Sequence, residues 1–225
     1  MAKGVLIVGS SGTGKSTSVR NLNPEETFLI NVQGKPLPFV SKGYVKCAPG
    51  EPPAKGNIYV TDRVKTIKDI ISYISTNRPE IKSIVIDDTQ YCAVNEFMRR
   101  IDEKGFSKFN DIGHDIWRLP QALPTFRDDL VVYFLYHDEM SIDEDGRKYK
   151  RAKQMGKLID QQVGGIEGYF TYVLFTEVKK ENNEIKYSFV TNNEGDTTAK
   201  TPMGMFELRI PNDLNLINQK LLENE

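Results

Sequence analysis

Short apolar runs punctuate the chain, and several stretches between them repeat apolar residues every three or four positions. Residues 5–8 are Val-Leu-Ile-Val between two glycines, and residues 27–32 are Thr-Phe-Leu-Ile-Asn-Val. Residues 83–87 are Ser-Ile-Val-Ile-Asp, and residues 130–136 are Leu-Val-Val-Tyr-Phe-Leu-Tyr. Runs this short without polar alternation suit strands buried on both faces of a parallel sheet. Residues 169–178 and 185–191 add two strands around Asn182-Asn183, a pair that accepts the backbone of a tight hairpin. Ile67, Ile70, Ile71 and Ile74 lie at helical spacing within residues 66–77. Residues 89–103 and 115–128 predict two further helices, the second shaped by Pro120 and Pro124. Strands alternating with helices predict a mostly parallel α/β sheet flanked by helices, with an antiparallel edge hairpin. Residues 1–225 are expected to form one domain, with a loop or hairpin insertion at 138–157 and a C-terminal tail at 208–225.

The first run leads straight into chemistry. Gly9-Ser10-Ser11-Gly12-Thr13-Gly14-Lys15-Ser16-Thr17 fits the P-loop pattern, a strand followed by a glycine-rich turn that opens a helix. Gly9, Gly12 and Gly14 let the backbone curl so that its N–H groups converge on phosphate oxygens. Lys15 brings an ammonium to the β- and γ-phosphates, and the Ser16 hydroxyl is a Mg²⁺ ligand. A helix through about Leu22 adds its positive N-terminal end. The pattern requires a second strand ending in an acid, and residues 83–87 end in Asp87, placed to hold Mg²⁺. Asp88 has two readings side by side: it polarises the attacking water, or it caps the helix that starts near Gln90.

Two more polar residues follow apolar runs. His137 closes residues 130–136, where a side chain can feel the γ-phosphate and pass its loss to the next loop; a histidine satisfied by backbone is the bland alternative. Gln33 follows residues 27–32, on the strand expected beside the P-loop strand, and is placed to orient water.

The bulk numbers narrow the picture. Hydrophobic residues make up 39% and charged residues 27% of 225, as in a globular protein. The net charge of −1 assigns any nucleic-acid affinity to a local patch. Cys47 and Cys92 show no metal-ligand spacing and are expected to be reduced thiols of a cytoplasmic protein. No apolar stretch approaches a membrane span, and residues 5–8 are too short for the core of a signal peptide.

The order of parts resembles a known group. A P-loop is followed by TFLINVQGKPLPF, SIVIDDTQ, VVYFLYHDE and, near the C-terminus, TAKTPMGMF. This resembles the phage-encoded P-loop nucleotide-binding proteins of the RecA-like (AAA-type) ATPase group, some of which are single-strand annealing recombinases. The likeness covers about residues 3–213. It implies a RecA-like core, hydrolysis of ATP with Mg²⁺, binding to single-stranded DNA and assembly into a homo-oligomeric ring or filament. A phage single-strand-binding protein is a further partner in keeping with it, and the bacterial host cytoplasm is the expected location. Lys15, Ser16, Asp87 and His137 match the group's functional positions. Lys200 is a candidate for a basic residue reaching a neighbouring subunit's nucleotide. RecA-like cores usually carry a glutamate as catalytic base where Gln33 is expected here, which leaves the role of base to Asp88 or implies slow turnover.

The last motif lies in the insertion. Arg147, Lys148, Lys150, Arg151, Lys153 and Lys157 fall within eleven residues, with Tyr149 among them. Lysine and arginine pair with phosphates, and an aromatic ring stacks on an unpaired base. Arg147, Lys148, Tyr149, Lys150, Arg151 and Lys153 are therefore candidate DNA-binding residues. Two other readings stand beside this one: a solvated hairpin turning at Asp145-Gly146, or a finger into the next subunit's nucleotide. Two functions compete with a DNA-dependent ATPase: a nucleotide-gated assembly or loading protein with little hydrolysis, and a small-molecule or nucleotide kinase with the insertion as its lid.

Overall fold

The computed structural model describes residues 1–48 and 53–223. In chain order these residues form β1 (Lys3–Val8), β2 (Thr27–Asn31), β3 (Ile58–Val60), α1 (Val64–Asn77), β4 (Ser83–Asp87), α2 (Tyr91–Arg99), α3 (Ser107–Gln121) and β5 (Val131–Tyr136). There follow β6 (Asp138–Ile142), β7 (Lys148–Ala152), α4 (Gly156–Val163), β8 (Tyr172–Glu181), β9 (Glu184–Val190), β10 (Arg209–Pro211) and α5 (Leu214–Leu222). Eight strands make one sheet in the order β10-β9-β8-β1-β5-β4-β2-β3, and β6 and β7 pair as a separate hairpin. From β8 to β3 the pairings are parallel, while β8, β9 and β10 are antiparallel. The α/β sheet with an antiparallel edge is the one the apolar runs predict.

Each central strand is buried on both faces, which explains why its sequence shows no polar alternation. Leu6 and Val8 of β1 pack with Ile67, Ile71 and Ile74 of α1 and Ile112 and Ile116 of α3. Val5 and Ile7 face the other way, toward Val19, Leu22 and the α5 residues Leu214, Ile217 and Leu221. Each such side chain contributes about 1.5–3 kcal/mol when removed from water. Helical layers thus clamp the sheet from two sides and hold the strand ends rigid.

Several expectations change in the structure. The helix after the P-loop is a short 3₁₀ turn, Ser16–Asn21. The helix expected at 115–128 is α3, which starts earlier and ends at Gln121. Pro120 lies in its last turn, where it removes one hydrogen bond instead of breaking the helix. Pro124 sits in the first turn of a separate 3₁₀ segment, Leu123–Thr125. Of the tail expected at 208–225, the described residues 208–223 pack on the sheet: β10 closes its edge, and α5, capped by Asp213 on Asn215 N, buries Leu214, Ile217 and Leu221. Strand β2 is not beside β1: β5 and β4 lie between them. Gln33 therefore follows the strand beyond the acid-bearing one.

Candidate nucleotide site

The P-loop curls at the C-terminal end of β1. Gly12 and Gly14 adopt φ of 78° and 94°, values that L side chains rarely reach. Gly9 is constrained by space: a Cβ there would lie 1.7 Å from Thr176 Oγ1 of the neighbouring strand β8. Thr176 Oγ1 in turn meets Thr13 Oγ1 at 2.6 Å, and the Thr13 hydroxyl lies 2.7 Å from Ser10 O, so β8 braces the loop. Lys15 runs back under this curl. Its ammonium donates to Gly9 O at 2.7 Å and Ser10 O at 2.8 Å and is 6% exposed. Burial lowers its pKa, and the charges of Asp88, Asp87 and Asp138 oppose that shift.

Strand β4 delivers the acids. Ser16 Oγ donates to Asp87 Oδ1 at 2.8 Å. Burial raises the Asp87 pKa; the hydrogen bond from Ser16 lowers it, and the neighbouring Asp88 charge raises it further. Asp88 turns back at φ 62°, a left-handed conformation that aspartate tolerates better than most residues. Its carboxylate accepts from Lys35 at 3.1 Å and faces His137 Nε2 at 3.3 Å. Burial pushes its pKa up, but these two partners outweigh burial and hold it at about 2. Asp88 does not cap α2, whose N-cap is Gln90 without a side-chain bond. His137 is fixed by its backbone N–H on Gln90 Oε1 at 3.3 Å and by an edge contact with the Tyr91 ring.

These groups share one cavity of about 730 Å³, lined by Gly12, Gly14, Lys15, Ser16, Thr17, Asp87, Asp88 and His137, among others. Ser11 also lines it, while Gly9, Ser10 and Thr13 do not. Mg²⁺ fits Ser16 and Asp87: a hydroxyl and a buried carboxylate already converge there, beside the second acidic charge of Asp88. Such an ion completes its shell from water and phosphate oxygens. Among the described residues, no group of three His, Cys, Asp or Glu side chains forms a self-sufficient metal cage. Lys35, Tyr91, Arg20, Tyr187 and Asn212 also line the cavity. Their separation along the chain hides them from motif reading.

Gln33 does not join this group. It follows β2, its Nε2 is buried without a partner, and it does not line the cavity. Lys200 lies outside too: its side chain is exposed, and its backbone pairs with Val173 of β8.

The insertion is a hairpin. Strand β6 leaves β5 after His137 and pairs with β7 so that Ser141 opposes Tyr149 and Met140 opposes Lys150. Asp143 closes the turn by accepting from the backbone N–H groups of Asp145 and Arg147. Lys150 Nζ lies 3.2 Å from Asp138 Oδ2, and Arg151 Nη2 contacts Glu139 at 2.7 Å and Asp160 at 2.6 Å. Arg147, Lys148 and Lys153 are exposed, and Tyr149 is half-buried. Asp138, which motif reading did not single out, touches both regions: Ser10 Oγ donates to its Oδ1 at 2.6 Å.

A P-loop at the end of a buried parallel strand, with an acid one hydrogen bond from its serine, defines a P-loop nucleotide-binding domain. The sequence matches the family model described as AAA domain over residues 1–203, and the chain belongs to that family of P-loop ATPase domains. No curated protein sequence matches it. Among solved structures, it is similar to the KaiC-like protein PH0186 from the hyperthermophilic archaeon Pyrococcus horikoshii OT3. That similarity has 14% identity and a TM-score of 0.49, over 93% of this chain and 84% of the other. Among the described residues no helix is long and apolar enough to cross a membrane.

Proposed function

We propose that this AAA-type domain hydrolyses ATP and uses the cycle to control single-stranded DNA held on the β6–β7 hairpin, as a homo-oligomer in phage recombination or replication. The observation that carries this reading is the pair of consecutive residues past β5. His137 faces Asp88 in the phosphate site, and Asp138 joins the P-loop Ser10 to Lys150 of the hairpin. A change at the phosphates thereby reaches the basic hairpin through side chains in direct contact.

Lys15 and the loop amides hold the phosphates. Mg²⁺, held by Ser16 and Asp87, would neutralise phosphate charge. Asp88, ionised at neutral pH, is a weak base and acts by orienting the water for in-line attack on the γ-phosphate. Lys200 on the exposed surface is the candidate for reaching a neighbouring subunit's site. A second reading, nucleotide-gated assembly with little turnover, draws support from the same carboxylate: Lys35 and His137 already engage Asp88.

The test is fluorescence anisotropy of a labelled single-stranded oligonucleotide titrated with the protein, with and without ATP and Mg²⁺. Affinity that depends on nucleotide and falls with salt is expected. Affinity indifferent to nucleotide would remove the coupling from the account.

A further inference from the structure

The nucleotide cavity extends past the phosphate machinery to a second wall with a different character. This wall is Arg20, Tyr187 and Asn212. Tyr187 stands on β9, 45% exposed, opposite the partly exposed Val178 of β8. Both it and Asn212 press close to the loop. A Cβ built on Gly14 would lie 3.2 Å from Tyr187 Cδ1 and 3.1 Å from Asn212 Oδ1. Asn212 is 2% exposed, its backbone N–H donates to Tyr187 O at 3.3 Å, and its carbonyl accepts from Arg20 Nη1 at 2.8 Å. Its side-chain Nδ2 is buried and has no hydrogen-bond partner. A buried amide donor left unpaired is unfavourable, and such groups in folded proteins call for an explanation.

We infer that Tyr187 and Asn212 form the nucleobase subsite of this cavity and select adenine. The inference rests on the reading of the P-loop as a nucleoside triphosphate site. The Tyr187 ring supplies a half-exposed π-face at the rim, the surface on which an aromatic base stacks. The Asn212 amide carries a donor and an acceptor, which match N7 and the N6 amino group of adenine. Guanine presents acceptors at both N7 and O6, so the Asn212 carbonyl oxygen would face an oxygen and the base is disfavoured. Arg20 holds Asn212 in place through its carbonyl and acts as a positioning residue.

The test is calorimetric titration of the full chain, with Mg²⁺, by ATP, GTP and inorganic tripolyphosphate, which has the phosphates without the base. The wild type is expected to bind ATP more tightly than GTP. Tyr187→Ala should weaken ATP about tenfold, or about 1.4 kcal/mol, and leave tripolyphosphate unchanged; Tyr187→Phe should bind ATP as the wild type does. Asn212→Leu, which removes the carbonyl oxygen that faces N6 of adenine or O6 of guanine at nearly constant shape, should narrow the gap between ATP and GTP. Unchanged ATP binding by Tyr187→Ala, or an equal loss for tripolyphosphate, would overturn the subsite while leaving the phosphate site standing. A wild type that binds neither ATP nor tripolyphosphate would overturn the phosphate-site reading itself, and the subsite with it.

Discussion

Ser10 of the P-loop donates a 2.6 Å hydrogen bond to Asp138, and the other oxygen of that carboxylate meets Lys150 of the β6–β7 hairpin. Charge-assisted bonds of this kind are stronger than neutral ones, and the Asp138 side chain is only 8% exposed. Asp138→Ala breaks both contacts at once. The expected outcome is a stability loss of about 1–3 kcal/mol and a larger fall in DNA-stimulated than in basal phosphate release. Chemical denaturation and a release assay measure the two.

In the proposed cycle Lys15 holds the phosphates, and its burial is unfavourable. Its folded pKa lies below the ordinary lysine value, so at neutral pH the charged side chain is held against a desolvation penalty. By the linkage sign, a base with a depressed folded pKa contributes stability only above its unfolded pKa, well outside the neutral range. Lys15→Met is therefore expected to melt no lower than the wild type. At a hundredfold excess over Kd, ATP should stabilise the wild type by about 2.7 kcal/mol and leave the variant unshifted. Thermal melts with and without ATP read both effects.

Asp88 shows the opposite sign. Its pKa is lowered from 3.8 to about 2 by His137 and Lys35 against the effect of burial. It contributes about 2 kcal/mol of stability above pH 3.8, lost as the pH falls through about 2. Asn tolerates the left-handed backbone at this position, so Asp88→Asn removes the charge without the strain another residue would add. The stability gap between wild type and variant should be full at pH 6 and close near pH 2. Phosphate release should fall about a hundredfold while ATP affinity stays within a few-fold.

Gly9 is fixed by the neighbouring strand. The Cβ of Gly9→Ala would meet Thr176 Oγ1 at 1.7 Å and Thr13 Oγ1 at 2.8 Å, so the variant should lose about 1–3 kcal/mol. Combining it with Thr176→Ala removes the nearest atom and should recover part of that loss. A double-mutant cycle by urea unfolding that shows simple additivity would contradict this packing account.

The β6–β7 hairpin and the residue after it carry cations in two different settings. Lys150 and Arg151 are engaged by carboxylates of the same chain, while Arg147, Lys148 and Lys153 are exposed, so the proposed DNA contact falls to these three. Replacing these three with Ala should weaken single-stranded DNA binding and flatten the slope of log K against log salt by about 2. A slope unchanged by the triple substitution would remove the hairpin from the DNA site.

Local chemistry was legible in the chain because it is local. The P-loop, Asp87 at a strand end, His137 past β5 and the Asn182-Asn183 hairpin are each contained within a few residues, and each stands where expected. Strand order is not local. Gln33 was expected next to the P-loop because β2 follows β1 in sequence, yet β4 and β5 pair into the sheet between them. Asp138 was hidden for the same reason, since its partners lie 128 residues before it and 12 residues after it. Tyr187 and Asn212 reach the cavity only through the antiparallel edge, where β10 brings the chain back beside β9. The residues of α5 were expected in a tail because a nine-residue helix with three buried apolar positions gives a weak periodic signal.

The most direct test is phosphate release from ATP with Mg²⁺, measured across a titration of single-stranded DNA for the wild type and Asp138→Ala. The coupling through Asp138 predicts that DNA raises the wild-type rate several-fold and barely changes the variant's. A wild-type rate that does not respond to DNA, or a variant stimulated as strongly as the wild type, would contradict it.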